Sequence, residues 1–185
     1  KFIEHEKLQD EKIADLQIQV ARYREEHGAQ RPDVSEFAEY GYNYLAIGNS
    51  ITKHPICDYW WNEIGMAASR EQNDYVHLVA EGLGIDANVY ALNFYIWEIQ
   101  SSDRAETLTV LEPYLSQNLN LVTVQLGENV VDRATLEQDY EELIRYIQDR
   151  CPNAQIMLVG GFWEDSETDS MKKTVASRCS IDFVA

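Results

Sequence analysis

The chain has 185 residues, of which 45% are hydrophobic and 25% charged, and its formal net charge is −17. This hydrophobic fraction is that of a folded globular protein, so the chain is not disordered as a whole. The negative charge argues against binding to nucleic acid or anionic lipid, which relies on Lys and Arg, and no run of about 18 apolar residues predicts membrane insertion. The 3 cysteines lack metal-ligand spacing, and no Gly-rich phosphate loop is present, so the sequence predicts no metal and no other cofactor.

Residues 1–31 are predicted to form an N-terminal helix. Their apolar side chains have 3-4-3 spacing at Ile13, Leu16, Val20 and Tyr23. The helix packs on the following domain or forms a stalk; alternatively it is a short coiled coil through which the chain self-associates. Because the chain begins with Lys1, we interpret it as a processed product or an excerpt. The localisation stays open, and a secreted or cell-envelope location would follow if an upstream segment were removed.

Beyond residue 31, short apolar runs alternate with helical patterns. The predicted strands are 42–47, 87–92, 119–126, 154–159 and 181–185. The predicted helices are 58–68, 74–82, 104–116, 135–150 and 170–178. This alternation predicts a parallel sheet covered by helices on both faces. In such sheets, ligands bind beyond the carboxyl ends of the strands.

Two motifs lie at that edge of the predicted sheet. Ser50 stands in Gly-Asn-Ser-Ile-Thr at 48–52, after the first strand, and Asn129 stands in Gly-Glu-Asn at 127–129, after the third. A Ser in a strand-to-helix turn exposes its hydroxyl above the sheet, and an Asn at a strand end can donate to an oxyanion. Taken singly, Ser50 reads as a helix N-cap and Asn129 as a turn residue. Their joint placement favours a nucleophile with an oxyanion donor.

The motifs and the strand order resemble the SGNH (GDSL-type) hydrolase family over roughly residues 40–185. The run at 48–52 is similar to its first block, usually Gly-Asp-Ser and an apolar residue, and the run at 127–130 is similar to its third, Gly-x-Asn-Asp. The resemblance implies an α/β fold, a flavodoxin-like three-layer α/β/α sandwich with a five-stranded parallel sheet. We therefore divide the chain into a helical extension, 1–31, and an SGNH hydrolase-like domain, 32–185, with its C-terminal part apparently missing.

The resemblance also implies roles for individual residues. Ser50 would be the nucleophile, its own N–H an oxyanion donor, and Asn129 the side-chain donor. The second block places a Gly whose backbone N–H donates five residues after an Asn; counted from Asn93, that position is Glu98. Asn49 replaces the usual Asp of the first block.

Aromatic and acidic residues surround the same edge. Trp97 follows the second strand and Trp163 the fourth, and indole faces suit sugar rings or acyl chains. Acidic neighbours such as Glu164 disfavour anionic substrates. The predicted substrate-binding residues are Asn49, Trp97, Gly127 and Trp163.

The fifth block of the family, Asp-x-x-His, holds the acid and the general base and follows the fifth strand. It does not occur before Ala185, so the base of Ser50 is expected beyond that residue. His54 is the alternative base because it is near Ser50 in sequence. The other histidines are interpreted as helix or surface residues: His5, His27 and His77.

The sequence therefore predicts a serine esterase that hydrolyses carboxylic esters, with O-acetyl groups on a carbohydrate as the favoured substrate. Its expected partner is a small-molecule or glycan ester. The alternative is a catalytically inactive SGNH-like domain that binds glycans or acts as a scaffold.

Overall fold

The computed structural model describes residues 41–84, 86–100 and 104–185. The predicted N-terminal helix and residues 32–40 lie outside this part of the chain. A five-stranded, all-parallel sheet forms its centre, in the order β2-β1-β3-β4-β5. The strands are β1 (Tyr42–Gly48), β2 (Ala87–Asn93), β3 (Leu121–Gln125), β4 (Gln155–Val159) and β5 (Asp182–Val184). The predicted flavodoxin-like α/β fold is thereby confirmed.

Five α-helices connect the strands in the described ranges. They are α1 (Tyr75–Gly82), α2 (Tyr95–Ile99), α3 (Arg104–Thr107), α4 (Leu136–Arg150) and α5 (Ser166–Cys179). Single turns of 3-10 helix occur at Glu71–Asn73, Leu108–Val110 and Glu112–Tyr114. No helix within residues 41–84, 86–100 and 104–185 is long and apolar enough to cross a membrane.

The predicted helix 58–68 is wrong, and the predicted helix 104–116 is interrupted. Residues 58–68 form an irregular loop, because Cys57 and Trp60 pair their backbones across a tight turn and the N–H of Met66 donates to the carbonyl of Ser50 at 2.8 Å. The region 104–116 contains one short α-helix followed by two 3-10 turns. There Pro113 lacks an N–H, so a continuous helix would lose a backbone hydrogen bond.

Apolar residues cover both faces of the sheet. Along β1, Tyr44 and Ala46 belong to one buried cluster, whereas Leu45 and Ile47 belong to a larger cluster on the other face. Helix α4 packs on the larger cluster with residues at helical spacing: Leu136, Tyr140, Leu143, Ile144 and Ile147.

The strand register determines which loops meet. Gly48, the last residue of β1, is paired with Asn93 of β2 on one side and with Gln125 of β3 on the other. The loops that follow these three strands therefore leave the sheet side by side.

Candidate active site

The loop after β1 is a tight turn built by Asn49. Its side chain is fully buried; its Oδ1 accepts the N–H of Ile51 at 2.9 Å, and its carbonyl accepts the N–H groups of Thr52 and Lys53 at 3.0 Å. This turn brings Ser50 to a half-buried position at the sheet edge. Among the described residues the Ser50 hydroxyl has no hydrogen-bond partner, so it is available to a substrate.

Glu98 lies at the centre of the polar contacts. Its side chain is only 1% exposed. Its Oε1 accepts the N–H of Gly127 and the Asn49 Nδ2, the latter at 3.0 Å, and its Oε2 accepts the Asn129 Nδ2 at 2.5 Å. Burial raises the pKa of the Glu98 carboxyl. The hydrogen bonds from Asn129, Asn49 and Gly127 lower this pKa, and the nearby Glu128 raises it further. One carboxylate on α2 thus connects the loops after β1 and β3.

A second carboxylate, Glu128, extends this network towards β4. Its Oε2 accepts the Asn49 Nδ2 at 2.6 Å, and its Oε1 accepts the Gln125 Nε2 at 2.8 Å and the N–H of Phe162 at 2.7 Å. The amide nitrogen of Asn49 therefore donates to two carboxylates. This contact fixes the loop after β4 relative to the turn that carries Ser50.

A cleft of about 310 Å³ opens between the loops after β3 and β4 and the start of α5. Lys172 is buried in its wall, and its Nζ donates to the carbonyl of Val159 at 2.9 Å. Burial lowers the pKa of Lys172, while Glu128, Asp169 and Glu98 oppose that shift. The lining of the cleft contains four acidic side chains (Glu128, Glu164, Asp165 and Asp169) and two basic ones (Arg133 and Lys172), so an anionic ligand would be disfavoured there.

The structure brings most of the predicted site residues together. Glu98 lies on α2, and its contacts join it to the loops after β1 and β3 at one sheet edge, which carry the other predicted residues: Asn49, Ser50, Gly127 and Asn129. The sequence predicted a role only for the backbone N–H near Glu98, and it did not predict the role of the Glu98 side chain.

The two predicted tryptophans have different environments. Trp163 is 69% exposed at the cleft, where its ring makes a T-shaped contact with Phe162. Trp97 is fully buried, with its ring centroid 4.7 Å from that of Tyr140. The placement of Trp97 at a pocket mouth is therefore wrong, because α4 covers its indole.

Glu128 and Lys172 were also missed. Glu128 belongs to the motif at 127–129, which follows the predicted strand 119–126, and this position at the sheet edge indicated that its side chain could belong to the site. The sequence does not distinguish Lys172 from the adjacent Lys173, which is exposed in the structure. Only the packing of α5 distinguishes the two lysines.

His54 contacts the loop that contains it. Its Nδ1 lies 2.7 Å from the carbonyl oxygen of Pro55, and its ring is near those of Tyr59 and Trp60. Among the described residues, no hydrogen bond joins His54 to Ser50. In the same residues, no group of three His, Cys, Asp or Glu side chains could hold a metal ion.

Neither a family model nor a curated protein sequence matches the chain. Solved structures do match. A family two carbohydrate esterase from Clostridium thermocellum in complex with cellohexaose is 18% identical, with a TM-score of 0.53 over 77% of this chain and 53% of that one. An acetyl xylan esterase from Butyrivibrio proteoclasticus is 12% identical, with a TM-score of 0.51 over 78% and 55%.

An extracellular lipase from Streptomyces rimosus is 14% identical, with a TM-score of 0.50 over 77% of this chain and 79% of the lipase. The chain spans about half the length of the carbohydrate esterases it matches. At identities of 12–18%, the similarity to these structures shows a shared fold. The resemblance drawn from the motifs is confirmed at that level: the chain has the fold of the SGNH (GDSL-type) hydrolases.

Proposed function

We propose that this chain is a serine esterase in which Ser50 attacks the carbonyl carbon of a carboxylic ester. The observation that carries the proposal is the half-buried hydroxyl of Ser50, which is unpaired among the described residues and whose turn is joined through Glu98 to the side-chain amide of Asn129. A nucleophile and a side-chain N–H donor at one strand edge are what acyl transfer needs.

The reaction proceeds in two steps. The Ser50 oxygen forms a bond to the ester carbon, its proton passes to a general base, and the negative charge collects on the former carbonyl oxygen. Collapse of this intermediate breaks the bond to the ester oxygen, and the alcohol leaves with the proton that the base returns. Water then hydrolyses the acyl-enzyme, which releases the carboxylic acid and regenerates the Ser50 hydroxyl. The SGNH resemblance assigns the base to a histidine of an Asp-x-x-His block.

The oxyanion is held by the N–H of Ser50, the Nδ2 of Asn129 and a backbone N–H near Glu98. The Asn129 Nδ2 carries two hydrogens, of which one is directed to Glu98, so the other is left for the substrate. Each donor lowers the barrier by roughly 2.7–4 kcal/mol.

The proposed substrate is an O-acetyl group on a neutral carbohydrate. The exposed indole of Trp163 offers a face for a sugar ring beside the cleft, and the acidic lining disfavours charged esters. Structures with a similar fold include an acetyl xylan esterase and a carbohydrate esterase bound to cellohexaose, which supports this choice.

The test uses the full-length protein with p-nitrophenyl acetate and acetylated xylan. We expect Ser50→Ala to lower kcat at least about 10³-fold, because removal of a nucleophile leaves only the residual catalysis of the oxyanion hole. Ser177→Ala, an exposed position on α5, is the matched control and should leave kcat unchanged. A serine-reactive phosphonate should label Ser50, as read by mass spectrometry. Hydrolysis that persists in Ser50→Ala would contradict the proposal.

A second candidate is a catalytically inactive, glycan-binding domain. It is favoured by one observation: within the described ranges, no imidazole forms a hydrogen bond with the Ser50 hydroxyl. In that case the full-length protein would bind acetylated xylo-oligosaccharides in calorimetry, but would neither hydrolyse them nor react with the phosphonate.

A further inference from the structure

We propose that Glu98 is a positioning residue, which holds the Asn129 amide and the Gly127 turn in the arrangement that receives the substrate oxyanion. This inference rests on the proposed function, because an oxyanion forms only if an ester is attacked. The SGNH pattern has a glycine at this position, so the carboxylate cannot be carried over from the family. It follows from the contacts of this chain.

The carboxylate holds the loop after β3 at two points. Its Oε1 accepts the backbone N–H of Gly127, and its Oε2 accepts the side-chain Nδ2 of Asn129. Gly127 has φ +135°, a conformation that L side chains rarely adopt, and this turn directs its N–H towards Glu98. Glu98 thereby fixes both the beginning of the loop and the side chain that donates from it.

Asn129 depends on this contact for its orientation. The residue is exposed, and among the described residues Glu98 is the only hydrogen-bond partner of its side chain. Without the carboxylate, the amide would rotate in solvent and the donor would have to be ordered during each reaction. Oxyanion donors are effective because they are oriented beforehand.

Glu98 is itself held by rigid neighbours. The preceding residue, Trp97, is buried against Tyr140, and its carbonyl accepts the Arg104 Nε at 3.1 Å. The Asn49 Nδ2 donates to the Glu98 Oε1 at 3.0 Å. A side chain fixed in this way can orient another, whereas a flexible acid could not.

The negative charge of Glu98 would by itself repel an oxyanion. That charge is distributed over N–H donors from Asn49, Gly127 and Asn129. The buried ammonium of Lys172 also interacts electrostatically with it. These groups offset part of the repulsion between the Glu98 carboxylate and an oxyanion.

Replacement by glutamine removes the orientation with little change in volume. An amide has one oxygen, so its nitrogen would face either the Gly127 N–H and Asn49 or the Asn129 Nδ2, donor against donor. At least one contact of the loop is then lost.

A double-mutant cycle on the full-length protein tests the role, with p-nitrophenyl acetate as substrate. We expect Glu98→Gln to lower kcat about 10- to 100-fold with KM changed less than about threefold. If Glu98 acts through Asn129, adding Glu98→Gln to Asn129→Ala should lower kcat by less than about twofold. If the kcat losses of the two single variants multiply in the double variant, or if Glu98→Gln keeps the wild-type kcat, the inference is overturned.

Glu128→Gln is the matched control. It removes an equal charge from the same cluster and also loses a contact with Asn49, but its carboxylate does not bind Asn129. Whatever loss of kcat it causes should persist in the Asn129→Ala background. A loss that disappears there too would assign the effect to the charge of the cluster and overturn the role of Glu98.

A measurement that needs no hydrolysis separates this inference from the proposed function. In ¹⁵N-correlated NMR spectra, the Asn129 side-chain amide protons should be well dispersed and protected from exchange in wild type, and should lose both properties in Glu98→Gln. Unchanged signals overturn the inference even if the esterase activity is real. If Glu98→Gln does not fold, Glu98→Asp, which withdraws the carboxylate by one methylene, should give the same cycle and the same spectral change.

Discussion

The side-chain amide of Asn49 donates a hydrogen bond to the carboxylate of Glu98 across 3.0 Å, and each of these residues occupies a position at which the chain departs from the SGNH blocks. The family pattern has an acid after the first strand and a glycine after the second. Here an amide follows the first and an acid follows the second. Because the two side chains contact each other, the amide at position 49 supplies a donor to the buried acid at position 98.

Restoring the family residue alone should therefore be harmful. Asn49→Asp places a third carboxyl beside Glu98 and Glu128 and removes the amide that donates to both. We expect a loss of about 2–4 kcal/mol in the free energy of unfolding at pH 8. The new carboxyl is buried beside two acids, so its folded pKa lies above its unfolded value of about 3.9.

The sign of the pH dependence follows. A carboxyl with a raised folded pKa stabilises the fold below the unfolded pKa and loses that contribution as the pH rises through the folded pKa. The deficit of Asn49→Asp relative to wild type should thus be larger at pH 8 than at pH 4, as measured by urea denaturation. Asn153→Asp, at an exposed position, is the control. An equal deficit at both pH values would contradict the contact.

Gly48 should tolerate no side chain, because the chain passes too close to it. A Cβ there would lie 1.8 Å from the Thr52 Oγ1 and 2.7 Å from the backbone oxygen of Gln125. We expect Gly48→Ala to lower the free energy of unfolding by about 3 kcal/mol or more, since backbone must move. Gly82→Ala is the matched control: nothing lies within 4 Å of its Cβ at the end of α1, so it should be neutral or stabilising. A similar urea midpoint for both variants would contradict the close approach.

The sheet and its functional edge could be predicted from the sequence because they depend on local patterns. Apolar runs ending in Gly48 and near Gly127 specify buried strands and the turns after them, and parallel strands bring those turns together. The motifs around Ser50 and Asn129 could therefore be placed at one edge of the sheet from the sequence alone.

Contacts between distant residues could not be predicted in this way. Trp97 follows β2 just as Trp163 follows β4, yet only the first is covered, because Tyr140 reaches it from α4. The same applies to Glu98, whose partners lie 29, 31 and 49 positions away. Local pattern gives the position of such side chains along the chain but not what encloses them.

Arg104 should be essential for stability although it lies outside the reaction centre. Its side chain is buried; the Nη1 binds the Asp139 carboxylate at 2.6 Å, and the Nη2 donates to the carbonyl of Asp132 at 2.9 Å. Arg104→Ala removes the buried guanidinium that pairs with Asp139 and donates to the carbonyls of Asp132 and Trp97, and we expect it to lower the free energy of unfolding by about 3–5 kcal/mol. Arg145→Ala removes an exposed pair with Glu141 on α4 and should hardly change the urea midpoint. Comparable shifts in the two variants would show that burial does not decide the effect.

Asp165 should stabilise the start of α5, and with it one wall of the cleft, in a pH-dependent manner. Its carboxylate accepts the N–H of Thr168 at 3.2 Å and the hydroxyl of the same residue at 2.9 Å, and it pairs with Arg133 at 2.6 Å. Burial alone would raise the pKa of Asp165, but the hydrogen bonds from Thr168 and the Arg133 guanidinium outweigh it and lower the pKa. We expect Asp165→Ala to lower the free energy of unfolding by about 0.5–2 kcal/mol at pH 7, the usual effect of losing an N-cap.

Because the folded pKa of Asp165 is depressed, its contribution is complete above the unfolded pKa of about 3.9 and is lost as the pH falls through the folded pKa. The difference in free energy of unfolding between wild type and Asp165→Ala should be constant from pH 7 to about pH 5 and should shrink below about pH 4. Asp165→Asn keeps an acceptor for the Thr168 N–H without the charge, so it should retain part of the stability with less dependence on pH. Urea denaturation across this range measures both variants. A difference that stays constant down to the lowest pH at which the protein folds would mean that the carboxylate charge contributes nothing, and that the cap acts through its geometry alone.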